Sequence, residues 1–404
     1  MVSNRTCSSK ERSIEELMVY QFRAYVTPAI IVFGLIGNTL VIAAFTRMQQ
    51  KSPCRFNLYA IAIAVAHSME ILFNALLDDF LGRGLYWLSD CSLYVKLDVH
   101  SEALCKMISY VPKAAALIST NLLILFSFDR VLTVYRPLRF RGDWYLRVAG
   151  TGIISVYILS FMLYLPLPIQ AGIIMHSDIS GSLFKQCQYK DPLKTASQYT
   201  LYLHILGANI VPSTLVLLTN IMIFLKLRDL FRQRTQMSTQ CPERGSAESR
   251  RILGHLCMTT IFSVLTVPII VAIILRQHAD HNNYAELYPT FEDRLVQLSK
   301  LFSSLESIYF VTEFPTFYIF LPMFRLELRQ MCLRLCHEKR VDSFTHLTKG
   351  KPHILLHSVI RNQTENSVSS VVGSWKEKTG SVDLVCAYIY LNAILEQFPK
   401  SGFI

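Results

Sequence analysis

The chain has 404 residues, of which 51% are apolar and 17% charged, with a formal net charge of +11. Soluble domains carry about 25% charged residues, so this composition excludes an ordinary soluble protein. The basic residues lie between long apolar runs rather than on one continuous face, which indicates membrane loops and disfavours a nucleic-acid-binding surface. No phosphate-binding loop, metal-ligand cluster or nucleophile motif occurs, so no enzyme class, cofactor or metal is predicted.

Seven apolar runs are each long enough to cross a bilayer, which needs about 20 residues. The sequence therefore predicts an all-α membrane protein built as a seven-transmembrane helix bundle. The predicted spans are approximately 25–45, 57–81, 105–135, 148–171, 199–226, 252–275 and 296–321. A transporter is an alternative, but the internal repeats typical of transporters are missing from the sequence.

The distribution of basic residues predicts the orientation. Three of the connecting loops hold fourteen Lys and Arg residues, and the three loops on the other side hold eight. The more basic side faces the cytoplasm, so we expect an extracellular N-terminus and a cytoplasmic C-terminus in the plasma membrane. Asn4 lies in a glycosylation sequon that this orientation would place outside the cell.

Four segments follow from this topology: an extracellular tail (1–24), the membrane domain (25–323), an amphipathic helix (324–336) and a largely disordered cytoplasmic tail (337–404). The helix carries Phe324, Leu328, Met331 and Leu335 on one stripe, which is typical of a short helix in contact with lipid at the membrane interface. Near its end are two candidate palmitoylation sites, Cys332 and Cys336, for which a free or buried thiol is the alternative.

The third apolar run ends in Asp129-Arg130, an expensive pair in a bilayer unless it lies at the water boundary or inside the protein. Arg136-Pro137 then ends the helix, because the residue before a proline avoids the α region. Cys105 precedes Arg130 by 25 residues. Within a seven-span pattern, this combination resembles the rhodopsin-like (class A) G-protein-coupled receptors, as a divergent member such as an invertebrate peptide receptor.

The resemblance implies a disulfide between Cys105 and Cys187, both on the predicted outer, oxidising side. Two free cysteines are the alternative. Cys7 and Cys91 are also on that side, and the sequence leaves their pairing open.

The resemblance also implies a switch that couples to a heterotrimeric G protein. Asp129 would pair with Arg130 at rest, and activation would free Arg130 to meet the G protein. Glu248 stands where the family has a second acidic partner, and Leu138, after Pro137, stands where an apolar loop residue docks into the G protein. The alternative is a simple boundary pair at the end of a span.

Three prolines, Pro212, Pro268 and Pro315, are kink sites in the fifth, sixth and seventh spans. In the family, these helices move on activation. Pro315 also begins a Pro-x-x-Tyr motif, whose Tyr318 would rotate inward.

Other positions depart from the family. His67 stands where the family has its sodium-binding aspartate, although the neighbouring Asn38 and Ser119 are retained. Phe314 replaces the polar residue before Pro315. We expect an altered sodium pocket that is dry or holds water, because imidazole is a poor ligand for a hard cation. The alternative is an ordinary hydrogen-bonded interior histidine.

Pro112 occupies the position of the aspartate that pairs with the ligand in amine receptors, which disfavours an amine. Eleven acidic residues near the predicted outer mouth, against eight basic ones, favour a basic neuropeptide, although an ordinary solvated rim explains them equally well. The candidate ligand-pocket residues are Glu70, Asp78 and Lys113.

The expected partners are an extracellular ligand, a G protein, membrane lipid, and arrestin and receptor kinases at the Ser/Thr-rich tail. A receptor-like protein with atypical or no G-protein output is the main alternative.

Overall fold

The structure is a computed structural model, which describes residues 13–334 except 91, 94, 137–139, 141, 178–182, 191–194, 237–242 and 283–287. The side chain of Glu248 lies outside the described part of the chain. The same holds for Asn4, Cys7, Cys91, Pro137, Leu138, Cys336 and the tail 337–404. For all of these residues the expectations above stay predictions.

Within the part of the chain that the structure describes, six helices are long and apolar enough to cross a membrane. Apolar side chains also remain on the outside of the bundle, such as Phe33 (72% exposed) and Ile158 (54% exposed). A helix satisfies its backbone hydrogen bonds internally, which is the condition that lipid imposes on a spanning segment. The six are α1 (Ile14–Lys51), α2 (Arg55–Leu88), α3 (Glu102–Tyr135), α4 (Asp143–Gln170), α5 (Thr195–Leu230) and α6 (Ser249–Ala279).

The seventh apolar segment is broken into two helices, α7 (Pro289–Glu306) and α8 (Glu313–Phe320). Between them the chain makes a tight turn at Tyr309–Val311, with backbone hydrogen bonds between residues three apart, such as that from Phe310 N–H to Ser307 O at 3.2 Å. The single span predicted over 296–321 is therefore interrupted, while the predicted all-α bundle is confirmed.

The first helix begins at Ile14, earlier than the predicted start near residue 25. Its N-terminus is capped by the hydroxyl of Ser13, which accepts the N–H of Glu16 at 3.2 Å. The cap starts the helix within the segment that the sequence suggested as an extracellular tail.

A β-hairpin joins α4 to the segment before α5, where the sequence predicted only a loop. Its antiparallel strands are β1 (Ala171–Ser177) and β2 (Leu183–Tyr189), with Ile173 opposite Cys187. A disulfide between Cys187 and Cys105 attaches β2 to the first turn of α3, with the two Cα atoms 5.6 Å apart. We call this end of the bundle the disulfide end.

Three helices contain segments with wider π-helical turns: Phe22–Val26 in α1, Ile71–Gly84 in α2 and Leu203–Ile210 in α5. A π segment changes the direction in which the following side chains point, and such segments are common at functional sites.

One buried apolar cluster lies at the centre of the bundle, where most of the long helices meet the turn between α7 and α8. Ile71 of α2, Leu123 of α3, Val216 of α5, Phe262 of α6 and Tyr309 of the α7–α8 turn belong to one buried cluster. These contacts hold the broken seventh segment against the long helices.

Residues 325–334 are helical and belong to a separate unit of the chain. This helix overlaps the predicted segment 324–336. Cys332 is half-buried with a free thiol. Its modification and the position of the helix in the membrane interface stay predictions.

Candidate functional site

A cavity of about 430 Å³ lies at the disulfide end. It is bounded by side chains from α2, α3, α5, α6 and α7, and residues 187–189 of β2 contribute to its wall. Its size is within the range of about 300–1,000 Å³ that is typical of small-ligand sites. The hairpin and its disulfide therefore help to form a possible ligand site.

All three predicted ligand-pocket residues line this cavity: Glu70, Asp78 and Lys113. Asp78 forms an ion pair with Arg83, with oxygen and nitrogen 3.0 Å apart. The π segment of α2 contains both residues of this pair. Sequence analysis missed Glu306, which contributes a further carboxyl group to the cavity from α7.

The loop between α2 and α3 also contributes a charged group to the cavity wall. Asp98 lies 3.5 Å from the ammonium nitrogen of Lys96. Burial raises the pKa of the Asp98 carboxyl above its usual value, and the nearby Lys96 ammonium acts in the opposite direction. Asp98 is therefore paired within the protein rather than free in solvent.

A buried ion pair connects α1, α2 and α7 beside the cavity. Arg23 Nε lies 3.0 Å from Asp79 Oδ1, and it donates a hydrogen bond to Ser304 Oγ at 3.2 Å. Arg23 and Asp79 are 5% and 6% exposed. The sequence counted Asp79 among the acids of the outer mouth, whereas the structure buries it in a contact that ties three helices together.

The predicted altered sodium pocket contains an acidic group, Glu313, that sequence analysis missed. Ser119 Oγ lies 2.8 Å from His67 Nε2, within hydrogen-bond distance, and His67 Nδ1 lies 3.2 Å from Glu313 Oε1. Neither His67 nor Glu313 is exposed. An acid in the middle of the apolar seventh span was the available signal, because an intramembrane carboxyl is costly unless it has a function or a partner.

The other two residues assigned to that pocket lie differently. Asn38 donates a hydrogen bond to the Phe310 carbonyl at 3.2 Å, which fixes α1 to the α7–α8 turn. Phe314 stacks on Tyr318 with ring centroids 6.0 Å apart, and its Cβ lies close to Gly37. Glu313, rather than Phe314, thus supplies the group that faces His67.

At the opposite end of α3, Asp129 and Arg130 are buried and form an ion pair. The Arg130 guanidinium also lies over the rings of Phe56 and Phe126, at 5.5 and 5.4 Å from their centroids. Cation–π contacts of this kind stabilise a desolvated guanidinium. We call this end of the bundle the Arg130 end.

Asp129 has a second basic partner, Arg55 of α2, which sequence analysis missed. Arg55 also donates to the Phe140 carbonyl at 2.9 Å and to Thr133 Oγ1 at 3.4 Å. A single carboxylate is therefore shared between two guanidinium groups. These contacts join α2 and α3 to the loop that precedes α4.

A family model described as "7 transmembrane receptor (rhodopsin family)" matches residues 37–309, more than half of the chain. The chain belongs to the rhodopsin family of seven-transmembrane receptors. The matched range begins within α1, contains α2 to α7 and ends at the first residue of the turn after α7. The protein is thus a multi-pass membrane receptor, as the sequence predicted.

Individual relatives of this rhodopsin-family receptor are distant. Somatostatin receptor type 2 of Mus musculus is 29% identical over 203 residues, which are 49% of each chain. Muscarinic acetylcholine receptor M5 of Rattus norvegicus is 29% identical over 146 residues, 35% of this chain and 25% of that receptor. The chain therefore spans about half the length, or less, of these curated relatives.

The predicted kink prolines of the receptor occupy three different environments. Pro212 is buried just after the π segment of α5, Pro268 lies inside α6, and Pro315 is exposed in the first turn of α8. A proline in a first turn removes no helical hydrogen bond, since that N–H has no partner within the helix. In the seventh segment the break precedes the proline.

Proposed function

We propose that the chain is a plasma-membrane receptor that binds an extracellular neuropeptide in the cavity at the disulfide end and activates a heterotrimeric G protein at the Arg130 end. The N-terminus would be extracellular and the C-terminus cytoplasmic. One observation carries this proposal. Lys113, which lines the cavity, and Arg130, which is held in a buried ion pair, lie on the same helix. Seventeen residues of α-helix separate them by about 25 Å, most of a bilayer.

The cavity supports a ligand with polar groups. Charged side chains from three helices meet there, and a charge that faces a membrane-embedded cavity is typical of a ligand or ion site. The relatives are named for somatostatin in one case and for acetylcholine in the other, so they leave the ligand class open. Pro112 in the cavity wall, at the position of the amine receptors' aspartate, favours a peptide.

The Arg130 end supports a switch. Arg130 is 3% exposed, so in this state its guanidinium is inaccessible to a partner. Release requires that Asp129 give up the ion pair and that the guanidinium leave the rings of Phe56 and Phe126. A ligand shifts this equilibrium only through a difference in its affinity for the two states. The ligand's higher affinity for one state would then lead to a rearrangement of the buried charges at this intracellular end.

The test is a screen of an amidated-peptide library against cells that express the receptor, with calcium and cyclic AMP as readouts. A peptide that gives a response in these cells but not in untransfected cells supports the proposal. The response should disappear in Arg130→Ala at equal surface expression. Peptides that bind without any G-protein response would instead support the alternative, a receptor-like protein without this output. Recruitment of arrestin and receptor kinases by the tail belongs to the same proposal.

A further inference from the structure

The charges that line the cavity do not balance. Four carboxyl groups, one lysine, one arginine and one histidine line it. Two of the carboxyl groups have ion-pair partners at the mouth: Asp78 with Arg83, and Asp98 with Lys96. The remaining two are Glu70 and Glu306, and the lining then holds one further ammonium, that of Lys113, besides the imidazole of His204. With His204 neutral, two carboxyl groups therefore face a single ammonium group within the described part of the cavity wall.

These three residues line the same cavity from three helices, α2, α3 and α7. Glu70 is 2% exposed, and its carboxyl group interacts electrostatically with both Glu306 and Lys113. Among the described residues, no ion pair within 4 Å is formed by Glu70, Glu306 or Lys113. The three charges thus face a common space without closing on one another.

Four buried polar atoms of the described cavity wall also lack hydrogen-bond partners, and Asp98 Oδ1 and His204 Nδ1 are two of them. Among the described residues, Glu70 Oε1 and the Tyr309 hydroxyl have no hydrogen-bond partner, and both side chains line the cavity. A buried polar atom without a hydrogen bond costs about 1–3 kcal/mol, more if it is charged. The cavity therefore offers an acceptor and a hydroxyl that a ligand can satisfy.

We propose that Glu70 and Glu306 together bind an ammonium or guanidinium group of the ligand, with Lys113 as the internal cation that this group joins or displaces. This inference rests on the proposed function, because it assigns a chemical class to the ligand of the same cavity. A cation between the two carboxylates restores the charge balance and supplies the donors that Glu70 Oε1 lacks.

An anionic ligand group fits the cavity less well. It would have to approach Lys113 next to two carboxylates, and like charges in a low-dielectric site repel strongly. Arg83 gives little help, since Asp78 and Asp79 already lie 3.0 and 3.7 Å from its guanidinium nitrogens. Arg83 is thus already paired, whereas within the described residues the carboxyl groups of Glu70 and Glu306 are not, so the cavity favours a cationic ligand group.

The experiment uses the purified full-length receptor in lipid nanodiscs and four capped dipeptides: N-acetyl-Phe-Arg-amide, N-acetyl-Phe-Lys-amide, N-acetyl-Phe-citrulline-amide and N-acetyl-Phe-Glu-amide. The capping leaves the side chain as the only charge, and citrulline is a neutral analogue of arginine with nearly the same shape. The readout is the melting temperature at millimolar peptide, because a ligand that binds only the folded state raises it. We expect the Arg or Lys dipeptide to raise the melting temperature by about 2–4 °C, and the citrulline and Glu dipeptides to have no effect.

Variants test the site assignment. Glu70→Gln and Glu306→Gln should each remove most of the shift caused by the cationic dipeptides. Lys113→Gln should increase it, a gain that misfolding cannot produce. Asp293→Asn is the matched control, because it removes a carboxylate from an exposed position on α7 that does not line the cavity. Equal shifts with arginine and citrulline, a larger shift with Glu, or no shift with any dipeptide would each overturn the inference.

The two proposals can fail separately. If the cationic dipeptides stabilise the receptor through Glu70 and Glu306 but no peptide elicits an Arg130-dependent response, the cation site stands and the proposed signalling is wrong. If library peptides signal through Arg130 equally well with and without basic side chains, the signalling stands and the cation site is wrong.

Discussion

His67 and Glu313 form a fully buried contact between α2 and α8, with His67 Nδ1 3.2 Å from Glu313 Oε1. Ser119 of α3 lies within hydrogen-bond distance of the other imidazole nitrogen, so three helices meet at one ring. Among the described residues the Glu313 oxygens have no hydrogen-bond partner, and the ion pair with His67 is the polar contact seen for this carboxyl group. The contact therefore holds the broken seventh segment to the centre of the bundle.

Removal of either member of this pair should destabilise the receptor strongly. A buried charge that loses its partner costs on the order of 3–5 kcal/mol. We expect His67→Ala and Glu313→Ala each to lower the melting temperature of the purified protein, and the double variant to be more stable than the sum of the two losses predicts. Additive losses would show that the two residues do not interact.

The same contact predicts that sodium has no effect on the wild-type receptor. The sequence comparison with the family predicts that His67 replaces a sodium-binding aspartate, and a hard cation prefers oxygen ligands. Replacement of sodium by N-methyl-D-glucamine at constant ionic strength should leave the melting temperature unchanged. His67→Asp should create a sodium-dependent rise, since it places a second carboxylate beside Glu313 and Ser119. Stabilisation of the wild type by sodium would contradict this assignment.

Arg130→Ala should abolish G-protein activation by any agonist peptide while surface expression and ligand binding persist. The guanidinium lies at the far end of α3 from the cavity, so its loss should affect the output and leave the cavity intact. Nucleotide exchange on the G protein is the measurement. Arg147→Ala is the matched control, because Arg147 is an exposed arginine at the same end of the bundle. Undiminished exchange in Arg130→Ala would exclude the switch.

The disulfide predicts a non-additive pair of variants. Cys105→Ser and Cys187→Ser should each lower surface expression and thermal stability, because each removes the link between α3 and β2. The loss of a native disulfide typically costs about 2–5 kcal/mol in small secreted domains. The double variant should be no worse than either single one. Flow cytometry on intact cells and thermal melting measure the two effects, and a clearly worse double variant would argue against a shared bond.

Close packing between α1 and α2 predicts opposite results for two helical glycines. A Cβ at Gly84 would lie 2.3 Å from the backbone oxygen of Arg23, whereas a Cβ at Gly150 would meet nothing within 4 Å. Gly84→Ala should therefore destabilise the receptor by about 1–3 kcal/mol, as overpacking does. Gly150→Ala is the matched control and should be neutral or slightly stabilising. Equal melting temperatures of the two variants would mean that the helices are less closely packed at Gly84.

Much of the candidate site could be predicted from local sequence, and the missed parts have two causes. Glu70, Asp78 and Lys113 stood out because charged residues are rare within apolar spans, and all three line the cavity. Glu306 and Glu313 carried the same signal inside the predicted seventh span and were overlooked, whereas Arg55 lies at the start of a span, where a charge is unremarkable. Only the turn at Tyr309–Val311 and the packing around it direct Glu313 towards His67.

The sequence by itself determined that the chain is a bundle of membrane-spanning helices, because lipid requires each spanning segment to satisfy its own backbone hydrogen bonds and so ties the fold to the length of each apolar run. The tertiary structure decided which charged groups meet. His67 with Glu313 and Arg55 with Asp129 are far apart in the chain, and their contacts depend on how each helix is rotated. That rotation is set by side-chain packing, by π segments and by the break between α7 and α8, none of which the apolar pattern specifies.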